Sequence, residues 1–195
     1  MKFPINVDFN EFIGHHSLLY GETDTKKTYY TAKFVQFLVE HKKVAPNEIS
    51  ILDFAPKLSF IKNLKIGGKI QDYYKNSAKC NNMTFKGEIT PPRLNARNKI
   101  ELYENACQNH KKTSEILEKF SKNPTSILIV NDVSIYLHLG SKKLLLKAIK
   151  KADTFFGNSY YGTSIKQDFA TLFSLKEKKV VEYLIRAIEK SYLME

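Results

Sequence analysis

The residues whose types and spacing suggest chemistry form one run, Gly21-Glu22-Thr23-Asp24-Thr25-Lys26-Lys27-Thr28. It approximates the phosphate-binding pattern G-x-x-x-x-G-K-[ST]. Gly21 is the first glycine, Lys27 the lysine and Thr28 the hydroxyl, while Lys26 stands where the second glycine would be. Each type has a physical task. Gly21 lets the chain turn sharply out of a strand. The N–H groups of residues 22–26 then gather into an anion nest, and the first helical turn adds unpaired N–H groups and its positive dipole end. Lys27 would reach the β- and γ-phosphates of a nucleotide, and Thr28 would hold Mg²⁺. Two residues work against this. Lys26 is strained if its position needs positive φ, and Asp24 puts a negative charge near the phosphate site. The plain alternative is a hydroxyl-rich turn in which Asp24 or Thr25 caps an ordinary helix.

Phosphate chemistry with Mg²⁺ needs an acidic partner on a neighbouring strand. The stretch ILIVNDVSIYLHLG, 127–140, supplies an apolar run ending in Asn131-Asp132. If Asp132 is the metal-side carboxylate, no adjacent glutamate activates water. If Asn131 holds that place, the metal-side charge is missing. Slow hydrolysis is expected either way. Asp132 is otherwise a cap for the next turn. Asp53 ends another apolar run, where it would order a water, accept from a loop N–H or act as a cap. Asn158 would donate its amide to a γ-phosphate, or serve as a turn residue. Arg93 and Arg97 have the fork that suits phosphate oxygens, or form surface salt bridges. His110 and His138 read as ordinary packed or surface histidines. The tyrosine pairs read as one ring in the core and one in solvent. Tyr160-Tyr161 is the exception, placed to pack on a nucleobase.

The elements that must position these residues alternate. Residues 16–20 read as a strand and 27–43 as a helix. Residues 48–55 are a buried strand ending near Asp53. Residues 95–121 form a long helix with Tyr103, Ala106, Cys107, His110, Leu117 and Phe120 on its apolar face. Residues 126–130 are a central strand, 141–152 a helix and 154–158 a strand. Residues 174–192 read as the last helix, with Ser174 as N-cap and Glu177 as its capping-box partner. Residues 3–9 suggest an edge strand or extended part of an N-terminal arm, 1–15. Residues 57–92 read as a variable insertion, with a short helix around Phe60, Ile61 and Leu64, a short element over 70–74 and a strand over 83–85; Pro91-Pro92 blocks helix there. The alternation implies an α/β fold: a three-layer sandwich with a mainly parallel sheet of about five strands in one domain. Ligands gather beyond the carboxyl ends of such strands. Gly21, Asp53, Asp132 and Asn158 all end predicted strands, so four segments converge on one crevice.

Composition sets the limits. The chain has 195 residues, 43% of them hydrophobic and 26% charged, which is ordinary for a globular protein. No apolar run approaches a membrane span and the first residues lack a secretory pattern, so a cytoplasmic protein with no membrane partner is expected. Cys80 and Cys107 form no C-x-x-C pair and read as reduced thiols rather than zinc ligands. The net charge of +11 comes almost wholly from scattered lysine pairs. These read as solvated helix faces, with backbone-only contact to nucleic acid as the alternative.

On the run Gly21–Thr28 and the Asn131-Asp132 segment, most of the chain from residue 16 onward resembles a P-loop NTPase of the RecA-like branch. The loop looks like that of an archaeal P-loop ATPase group with G-E-x-G-x-G-K-T, against which Asp24 and Lys26 replace glycines. NDVSIYLHLG and the helix after it are similar to a segment of the ATP:corrinoid adenosyltransferases, which share the fold. The resemblance implies ATP and Mg²⁺ as ligands of Gly21, Lys27, Thr28 and Asp132, with Lys27 and Asp132 as the catalytic residues. The expected function is a nucleotide-binding P-loop protein with weak or altered ATPase activity. One alternative is a non-catalytic regulatory subunit whose basic surface meets nucleic acid or an acidic protein. The other is an adenosyl or nucleotidyl transferase.

Overall fold

Five apolar runs and one two-residue segment pair into a parallel sheet. The computed structural model describes residues 1–4, 6–61 and 63–195. The sheet strands are β1 (His16–Gly21), β2 (Ile49–Asp53), β5 (Asn81–Asn82), β6 (Ile127–Asn131), β7 (Thr154–Tyr160) and β8 (Lys190–Met194). They form a 6-stranded sheet in the order β5-β2-β6-β7-β1-β8, with every neighbour parallel. The connecting helices are α1 (Lys27–Gln36), α2 (Ile70–Tyr73), α3 (Pro92–Asn95), α4 (Lys99–Lys122), α5 (Val133–Leu137), α6 (Lys142–Ile149) and α7 (Thr171–Ala187).

Side-chain alternation along the strands builds two cores, one on each face. Leu18, Leu52, Leu128, Val130 and Phe155 face α4, α5, α6 and α7. Leu19, Ile49, Ile51, Ile129 and Phe156 face α1, α2 and the N-terminal segment around Phe12. The result is a three-layer α/β sandwich. Among the described residues, no helix is long and apolar enough to cross a membrane.

Several elements differ from the sequence expectation. The sheet has six strands rather than five because the end of the chain is not helical. α7 stops at Ala187, and β8 pairs with β1, with Leu19 opposite Tyr192. Ser174 is therefore not an N-cap but lies within α7, and Glu177 is buried rather than capping. Ser59–Ile61 and Leu64–Ile66 are not helical but pair antiparallel as β3 and β4; Lys62, within the expected helix, lies outside the described residues. Asn63, just before β4, has φ 63°; asparagine tolerates that region better than most residues.

Pro91-Pro92 does not exclude helix, since Pro92 opens α3, where its missing N–H costs nothing. The edge strand falls at 81–82 instead of 83–85, although Met83 N still donates to the Ile51 carbonyl at 3.0 Å. The buried face of α4 runs through Leu102, Ala106, Asn109, Thr113, Ile116, Leu117 and Phe120, leaving Tyr103 and Cys107 exposed. Asn109 turns inward because it holds both the N–H and the carbonyl of Thr90, at 3.1 and 2.7 Å. The N-terminal arm docks beside β8 through a Lys2–Leu193 bridge and a 3₁₀ turn at Phe9–Phe12 instead of a strand over 3–9. Ile5, within that expected strand, lies outside the described residues.

Candidate functional site

Three parallel strands end along the same edge of the sheet, where one helix begins. β1 delivers the loop 21–28, β2 delivers Asp53, β6 delivers Asn131 and Asp132, and α1 opens at Lys27. Gly21 must be glycine, because a Cβ there would run into the Met194 carbonyl of β8. Beyond it the chain curls. Asp24 and Lys26 adopt φ values of 56° and 61°, the left-handed region in which glycine is normally used. Holding each there costs roughly 1 kcal/mol or more. Both side chains point outward and are exposed, and Asp24 pairs with Lys65 of β4 at 2.9 Å.

A helix capped by Asp24 or Thr25 does not form. The N-cap of α1 is Lys26, and among the described residues no side chain caps the first N–H groups. Thr25 instead donates its hydroxyl to the Glu22 carbonyl at 3.0 Å. Lys27 is only 9% exposed and folds back across the loop. Its ammonium donates to the Glu22 carbonyl and, at 3.0 Å, to Thr25 Oγ1. Burial lowers its pKa to about 8, against the opposing pull of the Asp132, Glu22 and Asp24 charges.

Behind the loop lies a chain of buried amides. The Thr28 hydroxyl donates to Asn131 Oδ1 at 3.2 Å, so Asn131, not Asp132, faces it. Asn131 Oδ1 also accepts from Asn158 Nδ2 at 2.8 Å, and Asn158 Nδ2 donates to Thr31 Oγ1 at 2.9 Å. Asn131 Nδ2 donates to Asp53 Oδ1 and to the Gly68 carbonyl, both at 2.9 Å. Asp53 also accepts from Ile70 N at 2.8 Å and lies 3.5 Å from Lys69 Nζ. Burial raises the Asp53 pKa despite these partners.

Asp132 follows β6 in a left-handed conformation, φ 59°. Its N–H donates to Asn158 Oδ1 at 3.0 Å and its carboxylate takes the Ser134 hydroxyl at 2.6 Å. Asn158 lies inside β7 rather than at its end, and is buried.

Of these residues, Asp24, 25–28, Asp132 and Asn158 line a cavity of about 500 Å³; Gly21 and Asn131 do not, and Asp53 lines a separate cavity beside Lys69. Thr23, Tyr29, Tyr30, Lys65, Ile66 and Tyr73 add to the lining of the first. That volume lies in the range of small-molecule sites. Not every expected residue is there. Glu22 turns away, and its carboxylate accepts from the N–H of Thr163, from Ser164 N at 3.1 Å and from Ser164 Oγ at 2.5 Å. Burial opposes ionisation of Glu22, but these hydrogen bonds hold its pKa below the ordinary value. Arg97 is exposed, and its N–H bonds Glu101.

Arg93 is not available as a free phosphate fork. It is buried against Glu177 at 2.7 Å, with His138 Nε2 3.0 Å from the same carboxylate. Sequence reasoning missed Lys65, Ile66 and Tyr73, because the hairpin that brings two of them was read as helix. It also missed the grip of loop 162–164 on Glu22. Gly162 was the available signal: a Cβ there would overlap the Glu22 carboxylate.

The residues present suit Mg²⁺ only in part. Thr28 Oγ1 and Asn131 Oδ1 are hard oxygen donors beside each other, but Asn131 is neutral where a carboxylate would add charge. Among the described residues, no group of three or more His, Cys, Asp or Glu is placed to hold a metal. The chain matches no known protein family model, and a search among curated proteins finds none similar to it.

Proposed function

We propose that the protein binds ATP with Mg²⁺ as a RecA-like P-loop protein and hydrolyses it slowly or not at all. The left-handed pair Asp24 and Lys26 carries this reading. Side chains that disfavour the curl are nonetheless held in it, as expected of strain kept for a binding task. An uncapped helix start adjoins the curl, so loop N–H groups and the α1 dipole would favour an anion.

Lys27 would exchange its bonds to the Glu22 carbonyl and Thr25 for phosphate oxygens. Thr28 would hold the metal, with Asn131 beside it and Asp132 contributing through water. Bound Mg²⁺ would neutralise phosphate charge. Tyr29 and Tyr73, each more than a third exposed and lining the same cavity, offer ring faces to the base.

Isothermal titration with ATP·Mg²⁺ tests this. Saturable binding that falls at least tenfold in Lys27→Ala is expected. No heat at millimolar ligand, or an unchanged Lys27→Ala, overturns it.

A second reading is a non-catalytic subunit that binds nucleotide as a structural or regulatory ligand. Asn131 favours it, because a neutral amide stands against Thr28 and Glu22 is engaged elsewhere. Turnover that stays at background in the wild type but rises in Asn131→Asp would favour slow catalysis held back by one missing charge. Background turnover in both favours the subunit.

A further inference from the structure

A second cavity, of about 350 Å³, lies between the segment after β7 and the first turns of α7. Tyr160 lines both this cavity and the one at loop 21–28. Three observations mark it as a built site rather than a gap between surface side chains.

Its floor is rigid and charged. Arg93 is 5% exposed and lines the cavity. It is fixed by Glu177 at 2.7 Å and by Ser174 Oγ at 3.1 Å, with its guanidinium 5.1 Å from the centre of the Tyr160 ring. Its wall is anchored from outside, since Glu22 holds Thr163 and Ser164. Tyr160 Oη accepts from Ile165 N at 3.3 Å, and Tyr161 Oη donates to Glu182 at 3.0 Å. The wall is therefore set before any ligand arrives, which lowers the ordering cost of binding.

Its chemistry is two-sided. Tyr160, Tyr161, Ile165 and Leu175 supply apolar surface. The exposed, charged lining at its mouth is Lys166, Lys178 and one carboxylate, Asp168, with Lys178 Nζ 5.5 Å from the centre of the Tyr161 ring. Arg93 and Glu177 compensate each other at the floor, so the excess at the mouth is positive.

We propose that this cavity is a second ligand site, for a small aromatic or branched-aliphatic monoanion such as a carboxylate. The apolar body would lie against Tyr160, Tyr161 and Leu175, and the charge would lie at Lys166 and Lys178. The size suits one small molecule. The proposal does not depend on nucleotide binding at the other cavity.

The probe is 8-anilinonaphthalene-1-sulfonate, an aromatic monoanion whose fluorescence rises in apolar surroundings. Titration of the wild type should show one saturable site. Lys178→Glu should weaken it roughly tenfold by reversing a charge at the mouth. Leu175→Glu should abolish saturable binding, because it places a carboxylate on the apolar wall. Both positions are exposed, so both variants should fold. Lys111→Glu, on α4, is the control and should leave binding unchanged. Wild-type affinity in both Lys178→Glu and Leu175→Glu overturns the proposal. So does an equal loss in Lys111→Glu, which would report net charge and not this site.

Discussion

Two buried cationic side chains sit at opposite ends of the same problem. Lys27 and Arg93 are both withdrawn from water, at 9% and 5% exposure. Arg93 is matched: both Glu177 oxygens take its bonds, and Oε1 also meets His138 Nε2. Burial opposes the Glu177 carboxylate, but the charges of His138 and Arg93 hold its pKa below the ordinary value. Lys27 is not matched. It reaches a carbonyl and a hydroxyl, with carboxylates near but none bonded to it. The difference separates a charge compensated within the fold from one that is not. A compensated ion cluster gives little net stability yet is costly to break. An uncompensated one costs stability continuously and is retained only if something else needs it.

The comparison can be broken first at the matched site. Glu177→Ala leaves Arg93 buried without its partner and should cost about 3–5 kcal/mol. Urea unfolding would read this as a lower midpoint with unchanged slope. A loss below about 1 kcal/mol would mean that water already reaches the cluster.

The opposite sign is expected at Lys27. Its folded pKa of about 8 lies below the ordinary value of 10.5, so the unfolded chain holds the proton more tightly. The Lys27 contribution to stability should therefore rise as pH climbs from about 8 to 10.5 and lie flat below about 8, while the buried Cys80 thiol, pushed up to about 11, works against it above about 9. Lys27→Met keeps the volume and removes the charge. It should stabilise the fold at pH 7 by on the order of 2–3 kcal/mol and erase that slope, while ATP binding is lost. Thermal melts across this range would check it; a destabilised Lys27→Met would place the ammonium among the groups that hold the fold.

A sharper, smaller test uses protons. An anion beside Lys27 should raise its pKa again, so ATP binding near pH 8.5 should take up part of a proton. Titration calorimetry in buffers of different ionisation enthalpy measures that uptake. The smallest effect concerns the curl. Lys26→Gly should stabilise by about 1 kcal/mol, because it relieves a left-handed side chain. No gain would mean that Lys26 makes compensating contacts.

Much of the fold was legible because its central elements have one dominant signal each. The run ILIV reads as a buried strand, and the period of 27–43 as an amphipathic helix after a tight turn, of which 27–36 is α-helical and 37–41 a π turn. Parallel alternation placed Gly21, Asp53, Asp132 and Asn158 at strand ends facing one crevice; Asp132 and Asn158 do share a cavity, but Asp53 lines another and Asn158 lies inside its strand. Residues 174–187 are helical as expected, but the start and the end of that helix lie elsewhere than expected, for a physical reason. Ser174 and Glu177 imitate a capping box, but Glu177 answers to Arg93 and His138, which are distant in sequence. The tail KSYLM becomes a strand because β1 has an open edge beside it, which no local pattern reveals. At the site, the sequence left open whether Asn131 or Asp132 faces Thr28. Only the register of β6 against β7 and β2 decides that Asn131 does.

The place of β1 in the sheet has a consequence for how the molecule assembles. Its two neighbours, β7 and β8, come from the last third of the chain. β1 must wait for residues 154–160 before one edge is covered and for 190–194 before the other is. Such non-local pairing slows folding and leaves an adhesive strand bare meanwhile. During synthesis, the loop carried by β1 should be the last part of the molecule to take shape.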